Sequence, residues 1–215
     1  MTRLFLYSSV ILLVLSIVTS PVFCKDFKFD SNMTGDELWH RVDGSLSGLR
    51  DYTSEFNVDA SSRDIHLRVK GKLSCILPDR VKFVLEGLPS FLGEHKEIIT
   101  DKSIQELIDR KKFSHSIAMT EMIQGEPYYV IKSTALDKKE NLQEARFWIH
   151  AVHYTSNKVI LKYASGGYVR AEQKFEKING YMLPSYDDIS ITFPEWRARM
   201  IVQFYNFATN TGLKF

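Results

Sequence analysis

The feature that most constrains this fold is a strict alternation of apolar and polar residues that begins after residue 63. The polar partners early in this stretch are basic, as His66, Arg68 and Lys70 show. A period of two places alternate residues on opposite faces of a β-sheet. One face is therefore apolar and the other solvated and basic, which is typical of an antiparallel sheet covered on one side. The apolar members are Ile65, Leu67, Val69, Leu73, Cys75, Leu77, Val81, Phe83 and Leu85.

Similar patterns extend to the end of the chain and predict about nine to eleven antiparallel strands. Three lie between residues 52 and 87, separated by polar turns. Asn179-Gly180 is the strongest short hairpin signal in the chain, since both residues accept the positive φ of a two-residue turn. The later strands are predicted at residues 128–133, 146–152, 158–163, 168–177, 189–193 and 197–207, with Asp187 and Asp188 in a loop.

Two capping boxes predict helices outside the strand regions. The first helix begins at the capping box Thr34 to Glu37, and the apolar stripe that follows must pack against an apolar surface. Ser103 to Glu106 opens a second, and residues 113–123 are predicted as a further short helix packed by Met119 and Met122. Residues 88–124 are thus interpreted as a lid over the sheet. The stripe of the first helix comprises Leu38, Trp39, Val42, Leu46 and Leu49.

Residues 1–24 have the pattern of a secretory signal peptide. Arg3 precedes an uncharged stretch. Residues 22–24 end in Cys24, which is acceptable as the residue directly before a signal-peptide cleavage site at Lys25. An uncut leader is the alternative, because about 20 uncharged residues suffice to span a bilayer. Acylation of Cys24 is a weaker alternative, since Phe23 is too bulky for that signal. Export with residues 25–215 as a single domain is the expectation.

Composition narrows the classes of partner and chemistry. The chain has 28 Lys and Arg against 26 Asp and Glu, a balance that gives no reason to expect a nucleic-acid partner. Once Cys24 leaves with the leader, Cys75 has no disulfide partner within the chain. Its parity with Leu73 predicts a buried small hydrophobe, with a reactive thiol as the alternative.

Each candidate catalytic or metal-binding motif in the sequence lacks a residue or a geometry that its chemistry requires. Residues 44–48 resemble a nucleophile elbow but carry Leu46 in the nucleophile's place. His150 and His153 are predicted on opposite faces of a strand, a poor metal pair. We therefore expect a non-enzymatic protein with no catalytic residue, metal or cofactor. Arg110-Lys111-Lys112 is predicted to be a solvated helix end, with a membrane or partner contact as the alternative.

The strands carry motifs that resemble a known family. An early hairpin, Gly-x-Leu followed by Pro-Asp-Arg-x-Lys-Phe, is similar to that of the LolA-like periplasmic lipoprotein carriers, and so is the order of motifs in the tail. The similarity covers most of residues 56–213, although each motif is short. The residues that carry it are Gly71, Leu73, Pro78, Asp79, Arg80, Lys82, Phe83, Trp148, Ile149, Tyr163 to Arg170, Phe175 to Pro184, Ile189 to Phe193, Arg197, Ala198, Tyr205, Asn206 and Asn210 to Leu213.

The resemblance implies an α+β fold in which a curved antiparallel sheet forms an incomplete barrel with helices over its concave face. It also implies a periplasmic carrier that holds lipid or lipoprotein acyl chains in an apolar cavity, in lipoprotein sorting or lipid trafficking, with an inner- or outer-membrane delivery partner. The chain departs from the carriers at Leu77, where they have a basic residue that helps to latch the lid. A protein-interaction or stress-sensing module of the cell envelope is the alternative function on the same fold.

The predicted cavity wall combines the apolar strand positions with the first helix. The same side chains could instead pack as a filled core, and the sequence does not separate the two arrangements. The candidate ligand-binding residues are Leu38, Val42, Leu67, Val69, Leu73, Val81, Phe83, Leu85, Phe147, Ile149, Val159, Leu161, Ile189, Ile191 and Phe204.

Overall fold

The computed structural model describes residues 27–63, 65–78, 80–87, 95–100 and 110–215. These residues form one α-helix, a 3-10 turn at Arg110–Lys112 and eleven strands. The helix is α1 (Gly35–Gly44), and the strands are β1 (Asp51–Ser62), β2 (His66–Ile76), β3 (Arg80–Glu86), β4 (His95–Thr100), β5 (Phe113–Ile123), β6 (Glu126–Ala135), β7 (Leu142–His150), β8 (Ser156–Tyr163), β9 (Tyr168–Ile178), β10 (Tyr181–Thr192) and β11 (Arg197–Thr209).

All eleven strands belong to one antiparallel sheet, in the order β4-β3-β2-β1-β11-β10-β9-β8-β7-β6-β5. Two meanders, β1 to β4 and β5 to β11, are joined where the first strand pairs with the last. Strands β4 and β5 form the two edges, so the sheet is open, which is consistent with an incomplete barrel. The predicted antiparallel sheet and strand number are confirmed.

The tight turns follow the sequence signals. Asn179 and Gly180 have φ of 49° and 94°, the left-handed pair that a two-residue hairpin between β9 and β10 requires. Residues 52–87 contain β1, β2 and β3 as predicted, and β7 pairs with β8. Local turn chemistry therefore sets the register of neighbouring strands.

Helix α1 begins where its cap predicts. The Thr34 hydroxyl accepts a hydrogen bond from the Glu37 backbone N–H at 3.1 Å, and a Glu37–Arg41 ion pair follows one turn later. The helix ends at Gly44, earlier than the apolar stripe predicts. Leu46 lies in the following turn, whereas Leu49 is buried although it is no longer helical.

The core consists of two main apolar clusters on the same face of the sheet. In the first, α1 packs on β6 and β7, and the rings of Trp39 and Phe147 meet edge-to-face with centroids 4.8 Å apart. The second cluster joins β1, β2, β3 and β11 around Phe56. We call the face that carries both clusters the inner face.

The predicted helix at residues 113–123 is wrong, because these residues form edge strand β5. A register shift between Ile117 and Met119 interrupts the period of two, which removes the strand signal from the sequence. Met119 and Met122 are 50% and 42% exposed instead of packed, as the outward positions of an edge strand allow.

Asp187 and Asp188 were predicted in a loop, and this is also wrong, since both lie inside β10. Asp187 lies on the inner face of the strand and Asp188 on the outer face, an alternation that two adjacent acidic residues do not reveal in the sequence. The predicted helix at Ser103 and the predicted leader lie outside the described residues. Within the described ranges, no helix is both long and apolar enough to cross a bilayer.

Candidate ligand-binding face

The register of β8 to β11 aligns inner-face residues in rows across the strands. Val159 pairs with Ala171, Ala171 with Ile189, and Ile189 with Met200. A parallel row lies two residues away along each strand, roughly 7 Å distant. It contains Leu161, Val169, Ile191 and Ala198.

Helix α1 closes the part of the inner face formed by β5, β6 and β7, which we call the covered half. Leu38 of the helix and Ile131 and Ile149 of the sheet have no exposed surface. Such complete burial leaves no apolar surface at these positions for a ligand. The buried members of the covered half are Met33, Leu38, Trp39, Val42, Tyr129, Ile131, Ala145, Phe147, Ile149 and Ala151.

Strands β8, β9 and β10 differ from the covered half in how far their inner-face side chains are buried. Their apolar inner-face side chains remain only half-buried, although they lie between the two buried clusters. We call this set the open strip, and it consists of Val159, Leu161, Val169, Ala171, Ile189 and Ile191. Contiguous apolar surface that stays accessible in a folded chain marks a site of interaction.

A row of polar residues, the polar row, follows at one end of the open strip. Gln173 pairs with Asp187 across β9 and β10, and its Nε2 donates to Asp187 Oδ1 at 2.9 Å. Asn157 of β8 donates from Nδ2 to the Gln173 carbonyl at 3.5 Å. Burial raises the pKa of the Asp187 carboxyl above its ordinary value, and the Gln173 hydrogen bond opposes this only in part.

Tyr52 and Cys75 add a second polar contact within the cluster around Phe56. They are paired across β1 and β2 and hydrogen-bonded to each other through their side chains. Burial raises the pKa of the Cys75 thiol to about 11, although the Tyr52 hydrogen bond opposes the rise. Cys75 is 5% exposed, which confirms the predicted buried hydrophobe and leaves little thiolate at neutral pH.

The outer face of the sheet carries ion pairs between neighbouring strands. Asp188 directs its carboxylate to Arg199 of β11, with contacts of 2.9 and 2.6 Å. That ion pair lowers the pKa of Asp188, whereas burial raises the pKa of its neighbour Asp187. Glu144 is surrounded in the same way by Lys132, Arg146 and Lys162 at 3.1 to 3.2 Å.

The structure divides the predicted cavity residues among three places. Four belong to the filled covered half: Leu38, Val42, Phe147 and Ile149. Four more line the open strip: Val159, Leu161, Ile189 and Ile191. The rest lie on β2, β3 and β11, where Val69, Leu73 and Val81 are buried and Leu67, Phe83, Leu85 and Phe204 are half-buried. The prediction that these residues bind a ligand stays a prediction.

The two histidines that were predicted on opposite faces instead face each other. Strand β7 ends at His150, so His153 lies in the following turn, and the two rings stack with centroids 4.7 Å apart. His150 Nε2 lies 3.0 Å from Glu126 Oε2, and the His150 Nδ1 accepts backbone N–H groups from the turn. The described part of the chain contains no group of three or more metal-ligating side chains that could hold an ion.

Two clefts flank α1, and neither is lined by a predicted cavity residue. One of about 560 Å³ lies between the segment before α1 and strand β5. The other, of about 450 Å³, contains Arg110, which pairs with Asp43 and stacks 4.3 Å above Trp39. His115 lines both and is itself satisfied by Ser133 Oγ and the Arg110 carbonyl, so its position is structural.

The polar row is the part of the site that the sequence analysis missed. Its signal was present, because Asp187 shares the odd-numbered parity of Ile189 and Ile191, and Gln173 that of Val169 and Ala171. Extending the alternation by two residues, toward the end of β9 and toward the start of β10, places both residues on the inner face.

Comparison with known proteins identifies the class of fold. The chain has a LolA-like fold, since solved structures of that superfamily cover most of it. A candidate outer membrane lipoprotein-sorting protein domain from Vibrio parahaemolyticus superposes with a TM-score of 0.65 and 12% identity, covering 84% of this chain and 94% of its own. A LolA superfamily protein from Nitrosomonas europaea gives 0.57 and 12%, with 85% and 96% covered.

A third solved structure has a similar fold. A DUF1329 family protein from Desulfovibrio piger has a TM-score of 0.62 and 14% identity, and the match covers 84% of this chain and 93% of that one. No protein-family model and no curated protein matches the sequence. At such identities the likeness shows the fold alone.

Proposed function

We propose that this protein is a non-enzymatic carrier that binds the acyl chain of a lipid or lipoprotein along the open strip. The observation that carries the proposal is the half-buried apolar wall of β8, β9 and β10, which lies between the filled covered half and the partly buried cluster around Phe56. In this proposal the sheet is curved, and the strip forms the floor of its concave face.

The energetics favour an acyl ligand over a small polar one. Each methylene removed from water contributes about 0.8 kcal/mol, so a 14-carbon chain costs about 11 kcal/mol to keep in water. A carrier must cover most of that chain. Two parallel apolar rows of the strip, held in register by the hydrogen bonds of the sheet, supply a preformed surface for it.

The leader pattern of residues 1–24 extends the proposal to location. An exported carrier would work in the aqueous compartment between two membranes, and the periplasm is the proposed site. Its cargo would be an acylated lipoprotein or a lipid in transit, passed between membrane-bound delivery partners. Leu77 stands where the resemblance implies a basic latch residue, so the proposal does not include the release cycle of the LolA-like carriers.

Binding is tested with the protein expressed with its own leader and purified as exported. We expect organic extraction and mass spectrometry to recover acyl lipid, and the purified protein to bind the apolar dye N-phenyl-1-naphthylamine. Replacing Ile191 by Asp places a charge in the strip and should weaken dye binding at least about tenfold, because a charge cannot be buried there without a partner.

Ser190→Asp is the matched control, one residue away on the outer face of β10. It should leave dye binding within about twofold of the unmodified protein, as expected for a change in a solvated charge network. Absence of co-purified lipid together with absence of dye binding would contradict the proposal. Recovery of one stoichiometric protein partner without lipid would favour the interaction module instead.

A further inference from the structure

The polar row lies where a ligand on the open strip would end. Along β10, Ile191 and Ile189 face inward and Asp187 follows with the same parity. Along β9, Val169 and Ala171 lead in the same way to Gln173. The inner face of these two strands is thus apolar over about 7 Å and then presents an amide and a carboxyl group.

The fold itself supplies few donors to this carboxyl, although the side chain of Tyr52 lies close enough to interact with it electrostatically. Gln173 Nε2 contacts Oδ1, and that is the one hydrogen bond the structure describes for Asp187. An ionised carboxylate can accept about four hydrogen bonds, and unfilled positions are costly once water is removed. Asp188 next to it differs, since Arg199 contacts both of its oxygens.

A chain that covers the strip would also displace water from Asp187. This is favourable when the ligand brings its own donor to the carboxyl, and costly when it brings another anion. The group at the end of the strip therefore discriminates between amphiphiles by their polar end, while the apolar rows accept their tails. Discrimination of this kind comes from penalising the wrong partner.

Given the proposed function, we infer that Asp187, which accepts one hydrogen bond from Gln173, selects acyl chains whose polar end carries an N–H or O–H donor and rejects free fatty acid anions. Two sources share this chemistry, a cationic amino amphiphile and an N-acylated peptide such as the end of a lipoprotein. The amide and the ammonium group both donate to a carboxylate, and the fatty acid carboxylate does not.

The test is displacement of N-phenyl-1-naphthylamine from the exported protein at pH 7.5, below the concentrations at which the competitors form micelles. The competitors are dodecylamine, N-dodecanoyl-glycinamide and dodecanoate, which share a twelve-carbon tail. We expect at least one donor-bearing chain to compete about tenfold better than dodecanoate, the size of one charge-assisted hydrogen bond. Competition by dodecylamine alone would identify a cationic amino amphiphile, and competition by N-dodecanoyl-glycinamide alone would identify the N-acyl class. Competition by both would mean that the site accepts any donor-bearing end.

Variants separate the role of Asp187 from general binding. Asp187→Asn should reduce the preference to within about twofold, whereas Asp188→Asn on the outer face should keep it. Gln173→Met removes the only described donor to Asp187 and should increase the preference, because the ligand then supplies the donor that the carboxyl lacks. An unchanged preference in this variant would count against the role of Asp187, so the test stays decisive if the first variant folds poorly. Circular dichroism melting verifies that each variant is folded.

Three results would overturn the inference. Equal competition by dodecanoate and both donor-bearing chains would do so, and so would a preference that persists in full in Asp187→Asn. Either result leaves the proposed function standing, because an acyl chain still binds. Failure of the dye and of every twelve-carbon chain to bind would remove the proposed function and the inference with it.

Discussion

The covered half and the open strip are parts of one inner face, built from strands with the same apolar alternation, yet they differ in burial. In the covered half α1 packs down on β6 and β7, and Ile131 and Ile149 have no exposed surface. In the open strip Ile189 and Ile191 have equally apolar side chains and remain half-buried. The difference arises from where the helix lies.

This contrast shows what an apolar strand face does and does not imply. Apolar alternation places side chains on one face, but a second element must cover that face for it to become core. Where α1 covers it, the side chains stabilise the fold. Where the described elements leave it partly exposed, the same residue types are available to a ligand.

The largest expected effect separates stability from binding. Ile149→Ala in the covered half should lower the free energy of unfolding by about 2–5 kcal/mol, because it opens a cavity in a filled core. Ile189→Ala in the open strip should cost about 1 kcal/mol or less, since its side chain is already partly hydrated. Urea denaturation measures both, and dye binding should fall more for Ile189→Ala. Equal losses of stability would remove the distinction between the two regions.

The next effect concerns the helix that covers one half. Thr34→Ala removes the hydroxyl that accepts from the Glu37 N–H, and should destabilise the protein by about 1 kcal/mol. Thr134→Ala, an exposed position on β6, is the control and should stay within about 0.5 kcal/mol. Both variants should bind the dye normally. A large loss of binding in Thr34→Ala would mean that α1 contributes directly to the ligand site.

The polar row makes stability depend on pH in a specific direction. Because burial raises the pKa of Asp187 in the folded state, folding favours its protonated form, and the folded protein loses stability as pH rises from the ordinary carboxyl pKa through the raised one. Asp187→Asn removes that loss. We expect it to increase the free energy of unfolding at pH 8 by on the order of 1 kcal/mol and to change it little at pH 3. A decrease at pH 8 would show that the ionised carboxyl stabilises the fold.

The smallest effect is that of the neighbouring outer-face carboxyl. The Arg199 ion pair lowers the pKa of Asp188, so its contribution is present above the ordinary carboxyl pKa and disappears as pH falls through the lowered one. Asp188→Asn should destabilise the protein at pH 7 by about 0.2–1 kcal/mol, the usual range for an exposed pair. Thermal melts across pH 3 to 8 should thus shift in opposite directions for the two adjacent substitutions.

Much of the sheet could be predicted from the sequence, because its determinants are local. The alternation around Leu67 to Leu85, the Asn179-Gly180 turn and the Thr34 cap each specify structure within a few residues. Strand β5 could not be predicted in the same way. Its bulge breaks the alternation, and as an edge strand it is paired on one side only, with β6.

The candidate site was harder to predict than the fold. The apolar wall follows from parity, but its division into a filled part and an accessible part depends on where α1 lies across distant strands. The charges of Asp187 and Asp188 make the prediction of this segment wrong, since two adjacent acidic residues are typical of a loop. In the sheet one faces inward and the other pairs with Arg199 on the outer face.

Site-specific photocrosslinking tests the central claim most directly. A photoreactive amino acid is placed at Ile191 in the open strip, at Ile149 in the covered half and at Ser190 on the outer face, and the exported protein is irradiated with its bound lipid. The account predicts acyl-lipid adducts, seen by mass spectrometry, at position 191 and none at 149 or 190. Adducts of equal yield at all three positions, or none at 191, would contradict it.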